Sequence, residues 1–309
     1  MLILLAMTSV LAALLYGAAW WLVRRASPID ARVAITTGFG STATSPDLGP
    51  AVQSSGTWSL ANTIMFLGLL AHVVTIGLSM RAPLVEAAID AAPVLRFGFA
   101  PALSAVLCLA VAILWFEGMR MQLDALRVTV LPMAAITALL PLFFPGADHS
   151  GLARAPLFFP HLLVGTLAIG VLVMAALHAL LMMAAEQMLH HRSPGKPPLF
   201  ARWFDQMPPL MTLERLLFKY ISIGFVLLTL TVGSGVLFSE QVFGRAPRFD
   251  HKTMFSIAAW ILFGILLAGR YLWGWRGRMA WRMTLAGVAF LLLGYIGSRF
   301  VLEVVLKRY

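Results

Sequence analysis

The sequence predicts an all-α fold, a polytopic membrane helix bundle of about eight transmembrane helices with both termini outside. Three observations lead to this prediction: 60% of the 309 residues are hydrophobic, only 12% are charged, and the apolar residues form eight long windows. A soluble domain carries about 25% charged residues and needs that polar surface to cover its core. The composition therefore excludes a cytosolic globular enzyme, a disordered protein and a secreted disulfide scaffold. Cys108, the single cysteine, cannot form an internal disulfide.

Each apolar window is long enough to cross the hydrocarbon core, which takes roughly 20 residues of helix. The windows run near 2–23, 61–80, 97–116, 127–145, 157–184, 217–239, 254–272 and 280–304. Such runs are too long for barrel strands, and a helix satisfies its own backbone polar groups in lipid. No basic region precedes the first window, and Arg24 and Arg25 follow it. We therefore interpret this window as a retained span and not as a signal peptide.

The basic residues, which give the chain a formal net charge of +10, are divided unequally between alternate loops. The first, third, fifth and seventh loops hold fourteen Lys and Arg residues, whereas the other three hold six, or eight when the C-terminal Lys307 and Arg308 are added. Cytoplasmic loops carry the excess of Lys and Arg, so both termini are expected outside. The charge then serves orientation and contact with membrane lipid, and it requires no nucleic-acid partner.

We expect a single integral membrane domain over residues 1–309, with two long loops. The first, at 26–59, is rich in Gly, Ser, Thr and Pro and is expected to be flexible. The second, at 185–216, is expected to be cytoplasmic. The sequence offers no Ser/His/Asp arrangement, no paired carboxylates and no nucleotide-binding glycine motif. We therefore expect a protein that is not an enzyme, and no soluble substrate is evident.

Histidines are the notable ionisable residues inside the windows, and such residues mark functional sites because a bilayer makes them costly. His72 lies in the second window, and His161 and His178 lie in the fifth. The helical rise of about 1.5 Å per residue places His72 and His161 in the outer half of the membrane, roughly 6 Å apart in height. Two imidazoles at similar depth on different helices suit bis-histidine ligation of haem iron. His178 lies about 25 Å below His161 and cannot share that site.

Each of these features also has a structural explanation. A lone membrane histidine commonly forms a hydrogen bond between helices. His149 and His251 lie in outward loops, where a histidine is usually only solvated. A stripe of mostly small residues follows His161 on its helix face, and it admits either a close neighbouring helix or a flat macrocycle. The stripe consists of Gly165, Ala168, Leu172, Ala175 and Ala179.

Motifs in the second half of the chain carry a resemblance to a known family. PPLM at 208–211 precedes Glu214 and Arg215, GWRG occupies 274–277, and GSRFV ends the last window at 297–301. His161 opens the fifth helix with HLLVGTLAIGVLVMAALHALL. Together these segments resemble the cytochrome c assembly family of haem-handling membrane proteins, the CcsA and CcmC type. The resemblance covers roughly residues 60–305 and is greatest to the shorter HemX-like, or YpjD-type, branch.

The resemblance implies haem b held in the bundle and presented at the outer face of a bacterial inner membrane. Other cytochrome assembly proteins are the partners it implies. His161 matches the family's external histidine, and His72 matches a membrane histidine of the branch, so these two are the expected axial ligands of the haem iron. His251 is a third candidate for binding the cofactor.

Two departures from the family limit the expected role. The outward tryptophan-rich motif is absent from 239–250, where Asp250 alone remains, and Ala268 replaces a family histidine. We therefore expect an accessory role in cytochrome c assembly or haem handling. The alternative is a cofactor-free interaction or regulatory subunit that keeps the family fold.

Overall fold

A computed structural model describes residues 1–25, 55–81, 96–121, 123–148, 158–190, 208–243 and 251–305. Within them the chain forms α1 (Leu2–Arg25), α2 (Ser55–Ser79), α3 (Phe99–Gly118), α4 (Asp124–Phe143), α5 (Phe158–His190), α6 (Leu210–Phe243), α7 (His251–Trp273) and α8 (Arg278–Leu292). Helix α8 continues into wider π-helical turns at Leu293–Gly297 and Val301–Val305, separated by Ser298–Phe300. In the described part, two-residue strands β1 (Arg96–Phe97) and β2 (Ala147–Asp148) form one antiparallel pair.

Eight of the described helices are long and apolar enough to cross a membrane, which confirms the predicted all-α bundle. Helix α6 differs most from its predicted window, because it begins at Leu210 and not near 217. Its first turns carry charged residues that lower the hydropathy, yet Leu213 and Leu217 are fully buried and hold those turns in the bundle. Helix α5 also extends to His190, so the predicted loop at 185–216 is helical at both ends.

The other predicted loop, at 26–59, lies outside the described residues except at its end, where α2 begins at Ser55. The side of the membrane on which each terminus lies stays a prediction.

Helix α5 is the centre of the bundle, since 72% of its most apolar stretch is buried, against 22% for α7. It packs against α6 most extensively and also against α8, α3 and α4. A side chain at Gly224 of α6 would collide with Leu172, and one at Gly165 of α5 would come within 3.3 Å of the Thr231 methyl group. The stripe of small residues on α5 therefore serves the close approach of α6.

The motif residues of the family resemblance meet where α7 ends and α8 begins, a region we call the GWRG end. Arg270 of α7 lies 2.8 Å from Glu214 of α6, and Arg276 lies 3.7 Å from the same carboxylate. The backbone N–H of Trp275 donates to the carbonyl of Gly269, where a side chain would collide with the indole ring. This cluster joins α6, α7 and the turn before α8, and it pairs the Arg270 guanidinium with an acid.

Arg127 joins the other half of the bundle. It lies in the first turn of α4 with only 1% of its surface exposed. Its guanidinium donates to Asn62 of α2 at 2.7 Å and to Asp124 at 3.3 Å. Trp115 of α3 donates to the Asn62 carbonyl at 3.2 Å. A buried cation needs such partners, and these connect α2, α3 and α4.

Replacing Arg127 with Met should lower the free energy of unfolding by about 3 kcal/mol, because Asn62 and Asp124 lose their buried cationic partner. Arg120→Met is the matched control, since Arg120 is exposed near the same helix ends and should change stability by about 0.5 kcal/mol or less. Reversible unfolding by SDS in mixed micelles measures both. Equal stability of the two variants would contradict the role assigned to Arg127.

Candidate functional site

His72 lies between α1, α2 and α3 and is fully buried. Its Nδ1 atom is 3.2 Å from the Tyr16 hydroxyl, and its Nε2 atom is 2.8 Å from the Ser104 hydroxyl. A neutral imidazole has one donor and one acceptor nitrogen, and here a hydroxyl group faces each of them. An iron atom would bind His72 only if one of these hydrogen bonds opened. As the structure stands, His72 satisfies the geometry of a hydrogen-bonded contact between three helices.

Tyr16 of α1 fills the space beside His72, a contact that the sequence did not predict. The two rings meet edge to face with centroids 5.6 Å apart, and the Tyr16 side chain is fully buried. A Cβ atom at Gly68 would lie 2.9 Å from the Tyr16 ring. The small residue one turn from His72 therefore receives a tyrosine from α1, and the face of α2 that carries Met65, Gly68 and His72 is closed by protein.

His161 occupies a different environment, on the first turns of α5 and only partly buried. Its Nδ1 atom is 2.8 Å from the hydroxyl of Ser234 on α6. A Cβ atom at Gly235 would lie 3.4 Å from Cε1 of the imidazole, so the glycine sits directly beside the ring. A hydrogen bond on one ring nitrogen fixes the orientation of an imidazole whose other nitrogen binds a metal. The Ser234 hydroxyl on α6 thus orients the imidazole of His161.

His251 is the first residue of α7 and is exposed. Helices α5 and α7 both pack against α6 and α8. Because α6 ends at Phe243 and α7 begins at His251, the start of α7 lies near the end of α6 that carries Ser234. This is also the end that faces His161, and we call it the His161 end. The fold thus brings His161 and His251 to one end of one group of helices.

The predicted pair of His72 and His161 falls on two groups of helices. Helix α2 packs mainly against α1 and α3, whereas α5 packs mainly against α6 and α8. Each histidine has a hydroxyl partner within its own group. Among the described residues, no cluster of three or more His, Cys, Asp or Glu residues forms a site for a metal ion. His149, which the sequence interpreted as solvated, lies outside the described residues.

A second polar cluster, which the sequence analysis did not find, lies deeper in the bundle. Glu117 of α3 and His178 of α5 are both buried, with Glu117 Oε2 and His178 Nε2 3.9 Å apart. Glu117 lies near the end of its predicted window, a position at which a charged side chain commonly reaches the membrane interface. Its position on the same turn as the buried Leu114 and Gly118 was the signal for an inward orientation.

Comparison with known proteins places these features in a family. A family model described as cytochrome C assembly protein matches residues 60–306. The chain is 33% identical over 176 residues to the inner membrane protein YpjD of Escherichia coli K12, an alignment that covers 57% of this chain and 64% of the relative. It is 31% identical over 85 residues to the cytochrome c biogenesis protein CcsA of Prochlorococcus marinus MIT 9303, covering 28% and 27% respectively.

A further relative is an uncharacterized 28.8 kDa protein of Azospirillum brasilense, which is 32% identical over 148 residues, or 47% of this chain and 52% of that protein. No solved structure matches the chain significantly. The alignments thus cover less than two thirds of each of these relatives.

Replacing His72 with Ala should lower the free energy of unfolding by about 3 kcal/mol, because Tyr16 and Ser104 lose their partners and a cavity remains. Tyr16→Phe removes one hydrogen bond and keeps the ring, so about 1 kcal/mol is expected. SDS unfolding in mixed micelles compares the two variants. If His72→Ala costs no more than Tyr16→Phe, the three-helix contact does not stabilise the fold as described.

Proposed function

The chain belongs to the cytochrome c assembly protein family, and on this basis we propose that it binds haem b and acts as a non-enzymatic accessory protein in cytochrome c assembly. The observation that supports the proposal best is the environment of His161. This imidazole is partly exposed, is oriented by Ser234 and lies beside Gly235 at one end of the bundle. Haem b would supply a redox-active iron there, and His161 would hold it through an axial bond.

Two residues compete for the second axial position. His72 was expected from its depth and from the family resemblance, but it would have to give up a hydrogen bond to Tyr16 or Ser104. His251 is exposed at the His161 end, on a helix that shares both main neighbours of α5. We therefore propose His161 with His251 as the ligand pair and keep His72 as the alternative second ligand.

The names of two relatives support a cellular location for this role. One is an inner membrane protein and another is a cytochrome c biogenesis protein. We propose that the chain is a multi-pass protein of a bacterial inner membrane, in contact with lipid and with other cytochrome assembly proteins. Ser234 and Gly235, the neighbours of His161 on α6, carry neither an acid nor a base, so the proposed role is to hold and present haem.

The second candidate function is a cofactor-free interaction or regulatory subunit. The geometry of His72 favours it, because both ring nitrogens are engaged by neighbouring helices and the face around Gly68 is filled by Tyr16. In this case the histidines serve packing, and the protein acts through contacts with other membrane proteins.

Detergent-purified protein from cells supplied with excess haem should show a Soret band. His161→Ala should abolish the band, and Ser234→Ala should weaken haem affinity about tenfold by releasing the orientation of the imidazole. Ser222→Ala is the matched control, because Ser222 lies on α6 and bonds only to its own helix at the Phe218 carbonyl in the described structure. Absorbance titration with haem measures all three variants.

The same titration separates the two functions and the two second ligands. A colourless wild-type protein would contradict haem binding and leave the cofactor-free subunit. If the band survives in His161→Ala, the axial role of His161 is wrong. A change in the visible absorption bands of His251→Ala, with those of His72→Gln unaltered, is the outcome expected for the proposed pair, and the reverse result would select His72.

A further inference from the structure

The buried cluster of Glu117 and His178 lies well away from the proposed haem ligand. His178 is seventeen residues after His161 on α5, which corresponds to about 26 Å along the helix. Its imidazole is 0% exposed, and Glu117 is 7% exposed. Among the described residues, neither Glu117 Oε2 nor His178 Nε2 has a hydrogen-bond partner, although these two atoms face each other at 3.9 Å. The cluster thus contains two buried polar atoms that form no hydrogen bond in the described structure.

The hydrogen bond on the other ring nitrogen fixes the chemistry of His178. Nδ1 lies 2.9 Å from the backbone carbonyl of Met174, and a carbonyl only accepts hydrogen bonds. Nδ1 therefore carries a proton, and Nε2 of the neutral ring presents a lone pair to Glu117. An ionised carboxylate also presents only lone pairs. Two buried acceptors that face each other without a donor are unfavourable, and one proton on either atom removes the conflict.

We propose that Glu117 and His178 form a binding site for a single proton in the interior of the bundle. Proton uptake converts a facing carboxylate and neutral imidazole into a carboxylic acid beside the imidazole, or into a carboxylate beside an imidazolium. No other bond changes, and the proton is the ligand. The site lies where α3 meets α5.

Two residues of α6, Tyr220 and Lys219, act on the pair of Glu117 and His178. The Tyr220 ring lies against His178 with centroids 5.2 Å apart. The Tyr220 hydroxyl approaches Glu117 as a hydrogen-bond donor, but its geometry falls short of a formed bond, and it bonds to no other group in the described structure. Lys219 acts on Glu117 only through space. The Lys219 charge attracts the Glu117 carboxylate, but no hydrogen bond from it reaches Glu117 Oε2.

Arg127 of α4 and Arg278 of α8 each have an acidic partner of their own. From α4, Arg127 is bound to Asp124 and Asn62. From α8, Arg278 is paired with Glu186 at 2.6 Å. In the described structure His178 is the side chain paired with Glu117 across the helix interface.

The full chain in lipid nanodiscs allows the proton to be detected directly at neutral pH. In water at pH 7.3 a glutamic acid is about a thousandfold more often ionised than protonated. We expect the infrared spectrum to show a protonated carboxyl band that Glu117→Gln removes, or the nitrogen NMR spectrum of labelled histidines to show an imidazolium that His178→Gln removes. Either signal should correspond to at least half of the protein molecules.

Glu186→Gln is the matched control, because it removes a carboxylate that already has an arginine partner and should leave both spectra unchanged. Glu117→Gln keeps the shape of the side chain and offers an N–H donor to His178, so it should retain the folded, monodisperse state seen by gel filtration. An ionised Glu117 together with a neutral His178 at pH 7.3 would overturn the proposal. This includes the case in which the Tyr220 hydroxyl turns to donate a hydrogen bond to the ionised Glu117. The outcome is independent of haem, so it is read in haem-free protein and stands apart from the Soret measurement.

Discussion

Each polar side chain inside this bundle has to find its partner within the protein, because lipid offers none. This constraint determines how the first four helices meet. His72 binds Tyr16 and Ser104 and so connects α2 to α1 and α3. Arg127 connects α4 to Asn62 of α2. These contacts specify distance and rotation between helices, which apolar packing alone leaves loosely defined.

The last four helices solve the same problem differently. Glycines such as Gly224, beside Leu172, let α6 approach α5 closely, and dispersion contacts replace interhelical hydrogen bonds along much of that interface. An ion pair between Glu214 and Arg270 joins α6 to α7 at the GWRG end. The contact of His161 with Ser234 is a side-chain hydrogen bond between α5 and α6 in the region proposed for haem.

Hydropathy and length predicted the eight spans because both depend on composition along one helix. The motif resemblance likewise predicted the family, and its residues Glu214, Arg270 and Trp275 do meet in space. The partners of His72 could not be predicted, since helical rise gives height along the axis but not which neighbour a side chain faces. Tyr16 lies in the first apolar window, where no sequence feature marks it as the partner of His72. The burial of Glu117 could not be predicted for a similar reason. Nearness to the end of a span does not show toward which neighbour the helix turns that side chain.

The two histidines of α5 differ in what their Nδ1 partners allow. The Met174 carbonyl can only accept, so His178 keeps a proton on Nδ1 in every state in which that bond survives. The Ser234 hydroxyl can donate or accept, so it can follow a change of tautomer at His161 without losing the bond. A residue that takes and releases a ligand needs this freedom, whereas a residue that holds a proton against a facing carboxylate needs the fixed arrangement. The same side chain on one helix is thereby suited to two different tasks.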